Sequence, residues 1–515
     1  VPKARQVATQ DEFTGGLNLR ANQFQLANNE SPEMLNVDID PRGGVHLRRG
    51  VAPWAEDLSD PVHSLGQFRS ASTSQVLAGH GTEVSYTTGT TWATVKNDNT
   101  VSTPLTFAQF KDAIYIQNGT DQPIKWTGTT ATRLAQTYAE DFDSPGSGKM
   151  PVGRLIAAHN GHVFVANTLE SATRYPNRIR WSHPNQPESY RALDYIDVDP
   201  GVDGDEIVAL VPFTDHLLVM KRRSTHVLYG FGWESFSVQK VSADIGCANS
   251  QAAVSTPGGV YLWSPDTGVW RYGGRGVEWT FASLWPAIET GSVDANRQDE
   301  VRLGWLDNRL WVSVPWAVGT LETAVFVLDP TISKSGSWTA YHLPIGVMLS
   351  FGVDDQPSIP LAAYNDGDRL LQLELENQSW DDFDGETQTH IESYYRTPWF
   401  DMNQPAVIKR FHAPTFVFQG NSNDVATIEV YTDYDSLSVS KSFTESVSST
   451  SGEAVWDTLE WDTDLWGGQE RLHAVQRGAP LGKARAVQLK VTGPATNITW
   501  GMDAVSLVYT PRKVR

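Results

Sequence analysis

Through the middle of the chain, apolar residues alternate with polar ones in short runs, and each run follows a turn carrying Gly, Asp or Asn. In order, the runs are Ser74 to Gly79, Asp112 to Ile116, Gly161 to Ala166, Asp215 to Met220, Gly259 to Trp263, Asn308 to Ser313 and Asp368 to Leu373. Alternation with period two is the pattern of a half-buried β-strand. Several of the runs have a hairpin partner close behind, for example Asp121 to Trp126 and Thr267 to Tyr272. Most neighbouring runs lie about 40–55 residues apart, the length of one four-stranded propeller blade. The spacing therefore predicts a β-propeller over residues 61–390 with about seven units. A small sheet cannot bury both faces alone, and radial stacking buries them while leaving only short edges. A pair of β-sandwiches is the alternative reading of the same strands.

The pattern changes beyond residue 390. Phe411 to Phe418, Thr427 to Thr432, Ala486 to Val491 and Val505 to Tyr509 are longer alternating strands, which predict a β-sandwich over 391–515. The Ser-rich stretch from Ser436 to Ser451 reads as a long loop or finger. Residues 1–60, with Gly15-Gly16 and Gly43-Gly44 as punctuation, read as an extended arm that donates a strand to close the ring. The fold class expected is mainly β: a propeller with an N-terminal arm and a C-terminal sandwich.

Composition narrows the function. The 515 residues carry a formal net charge of −20. Tight phosphate binding calls for a basic surface, so this balance argues against a firm grip on DNA. It is compatible with a wall past which DNA slides, because an acidic surface repels phosphate. The single cysteine, Cys247, excludes an intrachain disulfide and a cysteine zinc cluster, and its small neighbours predict a buried thiol. No apolar run is long enough to span a bilayer, and no apolar stretch follows Val1-Pro2-Lys3-Ala4-Arg5 as in a signal peptide. The expected setting is a soluble product made in a reducing cytoplasm.

Several strings resemble a known family. Phe13-Thr14-Gly15-Gly16-Leu17-Asn18 is followed by Glu30-Ser31-Pro32, by Leu35 to Asp40 and by Gly44 to Gly50. In the middle, Asp205-Glu206-Ile207 leads through Ala209 to Phe213 and on to Asp215 to Lys221, then Val227 to Gly230, Ile245-Gly246-Cys247 and Gly258 to Ser264. Near the end, Trp456-Asp457-Thr458, Trp461-Asp462-Thr463 and Trp466-Gly467-Gly468 form a five-residue tryptophan repeat. Together these resemble bacteriophage tail propeller proteins, especially the tail nozzle (tail tubular protein B-like) family of short-tailed phages. The resemblance implies a structural virion component, assembled in the host cytoplasm as a closed ring of six copies around the DNA channel. It implies tail tube or adaptor proteins as partners, with tail fibres as further neighbours. The genome would be retained until ejection, in transient contact with the channel. No cofactor and no enzymatic activity are implied.

Candidate chemistry is sparse. Ser264 to Trp270 resembles the Asp-box turn of sialidase propellers, one residue short, and reads as a structural β-turn. Asp197, Asp199, Asp203, Asp205 and Glu206 crowd around Pro200-Gly201, and Asp381, Asp382, Asp384 and Glu386 form a second acidic run. Neither has EF-hand spacing, so both read as solvated loops before calcium sites. The twelve histidines lack metal-ligand spacing, and no Gly-x-Ser-x-Gly or P-loop motif is present. Candidate assembly residues are Phe13, Leu17, Arg48, Arg49, Trp456, Trp461 and Trp466. Candidate DNA-channel contacts are the basic residues Lys221, Arg222, Arg223, Arg512 and Lys513. The expected function is a phage tail component, nozzle- or hub-like, that retains the genome and allows its ejection. The alternatives are a neck or head–tail connector component, a receptor- or glycan-binding tail protein, and a glycan-degrading propeller enzyme with paired carboxylates.

Overall fold

The computed structural model describes residues 5–511 except 137–148, 202–204, 233–234, 320–321, 334–335, 353–356, 375–380, 384–387, 421–423, 448–472 and 496–498. The chain divides into two compact units: Ala52–Val325 with Leu343–Leu373, and Val1–Val51 with Phe326–His342 and Glu374–Arg515. Helix is almost absent among the described residues; one four-residue turn, Pro286–Glu289, and a 3₁₀ turn, Gln298–Glu300, stand beside long runs of strand.

The first unit is a ring of small antiparallel sheets. Its innermost strands are Val62–Arg69, Thr106–Phe110, Val152–His159, Ile207–Phe213, Ala253–Thr256, Arg302–Leu306 and Ile345–Phe351. Each packs against the next, and the last packs against the first, so the ring closes at seven. Every sheet has four strands, and in blades one to six the spatial order follows the chain order. In the sixth, the third strand, Thr323–Asp329, carries the chain out of this unit at Phe326. In the seventh, the fourth place is taken by Ala52–Pro53, from before the first blade, which pairs with Leu371 and Gln372. Pro53 is tolerated because it lies on an outer edge, where no ladder donor is needed. The closure is reinforced by hydrogen bonds from Trp54 N to Leu370 O (2.9 Å), Leu58 N to Asp368 O (2.8 Å) and Val62 N to Gly367 O (2.9 Å). An ion pair between Arg369 and Asp57 covers it.

Apolar cores hold blade one to two, two to three, three to four and seven to one. Leu155, Phe164, Ile179 and Trp181 of the third blade meet Ile207, Leu217, Val219 and Leu228 of the fourth in one buried cluster. Six of the seven sequence repeats are the second strands of blades one to six, among them Ser74–His80 and Arg309–Pro315. The seventh repeat differs. Leu370–Gln372 is the third strand of its blade, and the second is Ile359–Tyr364. Pro360 and Ala362-Ala363 dilute the alternation there, so the sequence pattern locks onto the next strand instead.

Among the described residues the second unit holds two larger sheets, besides the two-stranded pairs Gly16–Leu17 with Glu30–Ser31 and Asp381–Phe383 with Gln388–His390. One has eight strands and is organised on Trp500–Pro511, which pairs with Gln6–Gln10, Lys409–Phe411, Thr415–Gly420 and Val45–Leu47. The other runs in the order Met34–Leu35, Tyr394–Arg396, Val487–Thr492, Val425–Thr432 and Lys441–Ser446. Phe416 and Phe418 of the first sheet and Ala426, Ile428 and Val430 of the second are all buried. Residues 5–51 belong to the same unit as the C-terminal strands, and Ala52–Pro53, within the N-terminal 60 residues, joins the ring. The boundary expected at residue 60 falls at Val51, where strands able to pair with Trp500–Pro511 end. The Ser-rich stretch is also not all loop. Lys441–Ser446 is a strand paired with Val425–Val430, and the part from 448 onward lies outside the described residues.

Five histidines of the ring, His63, His80, His159, His162 and His226, have their pKa values depressed, first of all by burial. A depressed histidine stays neutral when folded and takes a proton more readily when unfolded. Its contribution is complete above the ordinary value near 6.5 and is lost as pH falls toward the folded value. The ring is therefore expected to melt at lower temperature at pH 5.5 than at pH 7.5. Calorimetry at the two values tests this, and a transition unmoved by acid would contradict it.

Candidate functional site

The acidic run is the densest candidate chemistry in the sequence, and the fold spends it on internal braces. Asp197 accepts two hydrogen bonds from Arg178, whose guanidinium lies between the rings of Tyr175 and Tyr195 at 4.0 and 3.9 Å. Asp199 pairs with His226 (3.1 Å) and with Lys240, and the Lys240 ammonium and the His226 ring hold its carboxyl below the usual range. Asp205 accepts from Ser224 Oγ and Arg223 N, both at 3.0 Å. Glu206 takes Arg154 (3.0 Å) and Arg222 (3.1 Å). Burial pushes the Glu206 carboxyl up, but Asn167 and these arginines outweigh it, and the net direction is down. Asp203 lies outside the described residues, as do Asp384 and Glu386 of the second run. No group of three metal-ligating side chains is found among the described residues.

The basic residues expected in a DNA channel separate. Lys221 is fully buried, and its ammonium donates to Val198 O (3.3 Å) and Asp199 O (3.1 Å), with Asp205 at 3.7 Å. It braces the turn before the fourth blade and cannot touch phosphate. Its flanking residues, in an alternating strand that reaches its end, gave no sign of this. Arg222 is half-exposed against Glu206, and Arg223 is exposed. Arg512 and Lys513 lie outside the described residues.

The expected assembly residues fare similarly. Phe13 is buried against Tyr395 in an edge-to-face contact with centroids 5.1 Å apart, and Leu17 is buried too. Arg48 is completely buried and forms a two-pronged pair with Asp382, with Nη1 to Oδ1 at 2.8 Å and a second, shorter contact from Nη2 to Oδ2. These three side chains are consumed within one unit and leave nothing for a neighbouring copy. The error has one cause: a motif near a chain end looks exposed when its partners are more than 300 residues away. Arg49 is half-buried. Trp456, Trp461 and Trp466 lie outside the described residues.

Two predicted details hold. Ser264 to Gly268 is the hairpin turn of the fifth blade, with Thr267 N bonded to Ser264 O (3.2 Å) and Trp270 Nε1 to Thr267 Oγ1 (2.7 Å). Gly268 has φ +81°, and a Cβ there would lie 2.4 Å from the Phe281 ring, so only glycine fits. Cys247 is buried with its thiol pKa pushed up to about 12 by burial, the environment of an inert thiol.

The ring's own bore is crossed by side chains. Gln251, just before the inner strand of the fifth blade, donates from Nε2 to His63 O of the first blade at 3.0 Å, past two intervening blades. Beside them, Arg302 donates from Nη1 to the Asp299 and Val301 carbonyls, and burial lowers its pKa.

The second unit carries a cleft of about 380 Å³ that no sequence motif announced. Its walls include Gln23, Leu26, Glu33, Arg396, Trp399 and Gln488. Arg396 pairs with Glu33 at 2.7 Å, donates to Ser436 O at 2.7 Å and lies 4.2 Å from the Tyr431 ring. Trp399 is backed by Tyr434 at 5.1 Å. Gln488 donates to Thr397 O at 2.8 Å, and its buried Oε1 has no hydrogen-bond partner among the described residues.

These features define a seven-bladed β-propeller joined to a second unit built on two larger sheets. Among solved structures, the chain is similar to YCF48 from Cyanidioschyzon merolae at 13% identity, over 63% of this chain and 100% of that one, with a TM-score of 0.37. It is similar at 12% identity to BBS1N in complex with ARL6DN, over 64% and 97% of the two chains, with a TM-score of 0.39. The β-propeller domain of Cps50 (Swd1) from Myceliophteria thermophila matches at 8% identity over 64% and 99%, with a TM-score of 0.38. These likenesses are to propellers of varied context and say nothing about activity. No family model matches the chain, and no curated protein matches it. No helix among the described residues is long and apolar enough to cross a membrane.

Proposed function

We propose that the chain is a structural, non-enzymatic component of a bacteriophage tail, nozzle- or hub-like, that joins other copies in a closed ring around the DNA channel. The propeller is its rigid body, and the second unit is a β-sandwich that takes residues 5–51 as its N-terminal strands. What carries the reading is the fate of the acidic run: Asp197, Asp199, Asp205 and Glu206 are all tied to cations or hydroxyls of their own unit. Side chains arranged this way stiffen blades against one another and are poorly placed for catalysis. The occupied bore adds a constraint. With Gln251 reaching His63 across it, DNA does not pass through a single propeller, so a conduit requires several copies arranged around a common axis. Closed rings need head-to-tail interfaces. The net charge of −20 suits the wall of such a conduit, where repulsion keeps phosphate moving. The protein acts in the virion, with tube or adaptor proteins and tail fibres as neighbours and six as the expected copy number.

Electron microscopy of the purified protein and of particles tests this. Closed rings, and density for the propeller at the tail, are the expected result. A monodisperse monomer absent from particles would defeat it.

A further inference from the structure

We propose that one outward face of the eight-stranded sheet in the second unit is a contact for the phosphate backbone of double-stranded DNA, a small attractive patch on an otherwise repelling chain. The choice of partner rests on the conduit reading above; the patch itself rests on strand register and charge.

Register brings the cations together. Arg410 stands opposite Lys483 on one side and Thr510 on the other. Gln6 pairs with Tyr509, and continuing that register places Arg5 opposite Thr510 from the far side. Further along the same strand, Ser506 pairs with Thr415, and Thr415 pairs with Arg477. Thr510 and Ser506 are an even number of residues apart, so they and the residues opposite them share one face. The other face takes Phe411, Phe416 and Leu507, all buried, while Arg5, Arg410, Arg477 and Lys483 are exposed. His412, bonded through Nε2 to Thr510 Oγ1 at 3.0 Å, lies among them. Burial lowers its pKa, and the charges of Arg5, Arg410 and Arg477 push it down further.

None of these four cations forms an ion pair or a side-chain hydrogen bond with a described residue. Elsewhere the chain pairs its cations: Arg178 with Asp197, Arg222 with Glu206, Arg369 with Asp57 and Arg396 with Glu33. Carboxylates are in excess, 60 acidic residues against 40 basic, yet none occupies these register positions. Asp503, the carboxylate of the central strand, accepts from Gln419.

A protein surface of mixed sign would set some of its own cations against this patch. A nucleic-acid backbone carries a negative charge on every unit and meets all four cations with the right sign. The arginine fork suits phosphate oxygens, which it binds in pairs. The two rows are separated by about 13 Å at ~3.3 Å per residue, enough to reach phosphates on both sides of a minor groove about 6 Å wide. Contacts of this kind are independent of sequence and weaken with salt, so each copy brakes the genome without locking it.

Fluorescence anisotropy of a labelled duplex of mixed sequence with the purified full chain tests this, over about 50 to 200 mM salt. Binding is expected at the low end, with log K falling against log salt by about 0.9 for each phosphate contact. The double variant Arg410→Gln with Lys483→Gln is expected to flatten that slope by about two or more. Arg275→Gln, at an exposed turn of the fifth blade, is expected to leave it unchanged. All three substitutions replace exposed side chains, so folding does not decide the result. Absence of binding at the low end overturns the proposal, as does a slope that the double variant leaves as it was. Displacement of the duplex by polyglutamate as readily as by unlabelled duplex of equal charge also overturns it, and assigns the face to an acidic protein surface. Closed rings that ignore DNA would sink this contact and leave the conduit reading standing. Binding with the expected slopes, from a protein absent from tails, would do the reverse.

Discussion

Removing the Asp382 carboxylate is expected to destabilise the second unit by about 3–5 kcal/mol, because it strands the Arg48 charge in the interior. The Arg48 side chain is 1% exposed. Burial works against its charge, yet Asp382 reverses the balance and holds the guanidinium pKa above its ordinary value. The remaining donors are also placed: Nε to Asn36 Oδ1 at 2.9 Å and Nη1 to Arg49 O at 3.0 Å. Asn36 in turn receives the His342 amide at 2.9 Å and donates to Glu392 O at 2.7 Å. One cation therefore joins chain segments more than 300 residues apart. Asp382→Ala leaves it uncompensated. The double variant Arg48→Met with Asp382→Leu is expected to recover much of the loss, since an apolar pair fills the space without a buried charge. Urea denaturation of the single and double variants measures both effects. A single variant within about 1 kcal/mol of the parent, the range of an exposed ion pair, would show that the pair is not the internal tie described.

Phe164→Ala should cost about 3–5 kcal/mol, the range for emptying an aromatic site in a packed core. Phe164 is fully buried on the second strand of the third blade and packs edge-on against Phe236, with centroids 5.3 Å apart. His162 and Trp181 approach the same Phe236 ring at 5.2 and 5.1 Å. These contacts join blade three to blade four, so the cavity would open at an interface that the ring needs to stay closed. A lower denaturation midpoint is expected, with faster hydrogen exchange in the strands His162–Glu170 and His216–Lys221. A loss confined to the third blade would mean that the blades are independent units, contrary to the closed ring.

The strand repeat was legible because period-two alternation needs only near neighbours. Ser74 to Gly79 or Asn308 to Ser313 announce a strand from six residues alone. The repeat also announced a propeller, since about 40–55 residues per unit matches one blade. Turn chemistry was legible for the same reason, as at Gly268. The cleft was not. Gln23, Glu33, Arg396, Trp399 and Gln488 come from separate stretches of chain, and none has a pattern that marks it. Long-range pairs were equally hidden. Lys221 looked like a basic spot for DNA, but its partners, Val198, Asp199 and Asp205, meet it only after the loop between two blades has folded back.

By itself the sequence determined the element type, the approximate number of blades, the inert cysteine and the acidic balance, all of which depend on local periodicity, local turns or simple sums. The tertiary structure decided which two of the first 60 residues close the ring, where residues 5–51 belong and which charges are engaged. Those outcomes depend on pairing between distant segments. A strand's alternation states that it has a face to bury, and only the folded chain states against what.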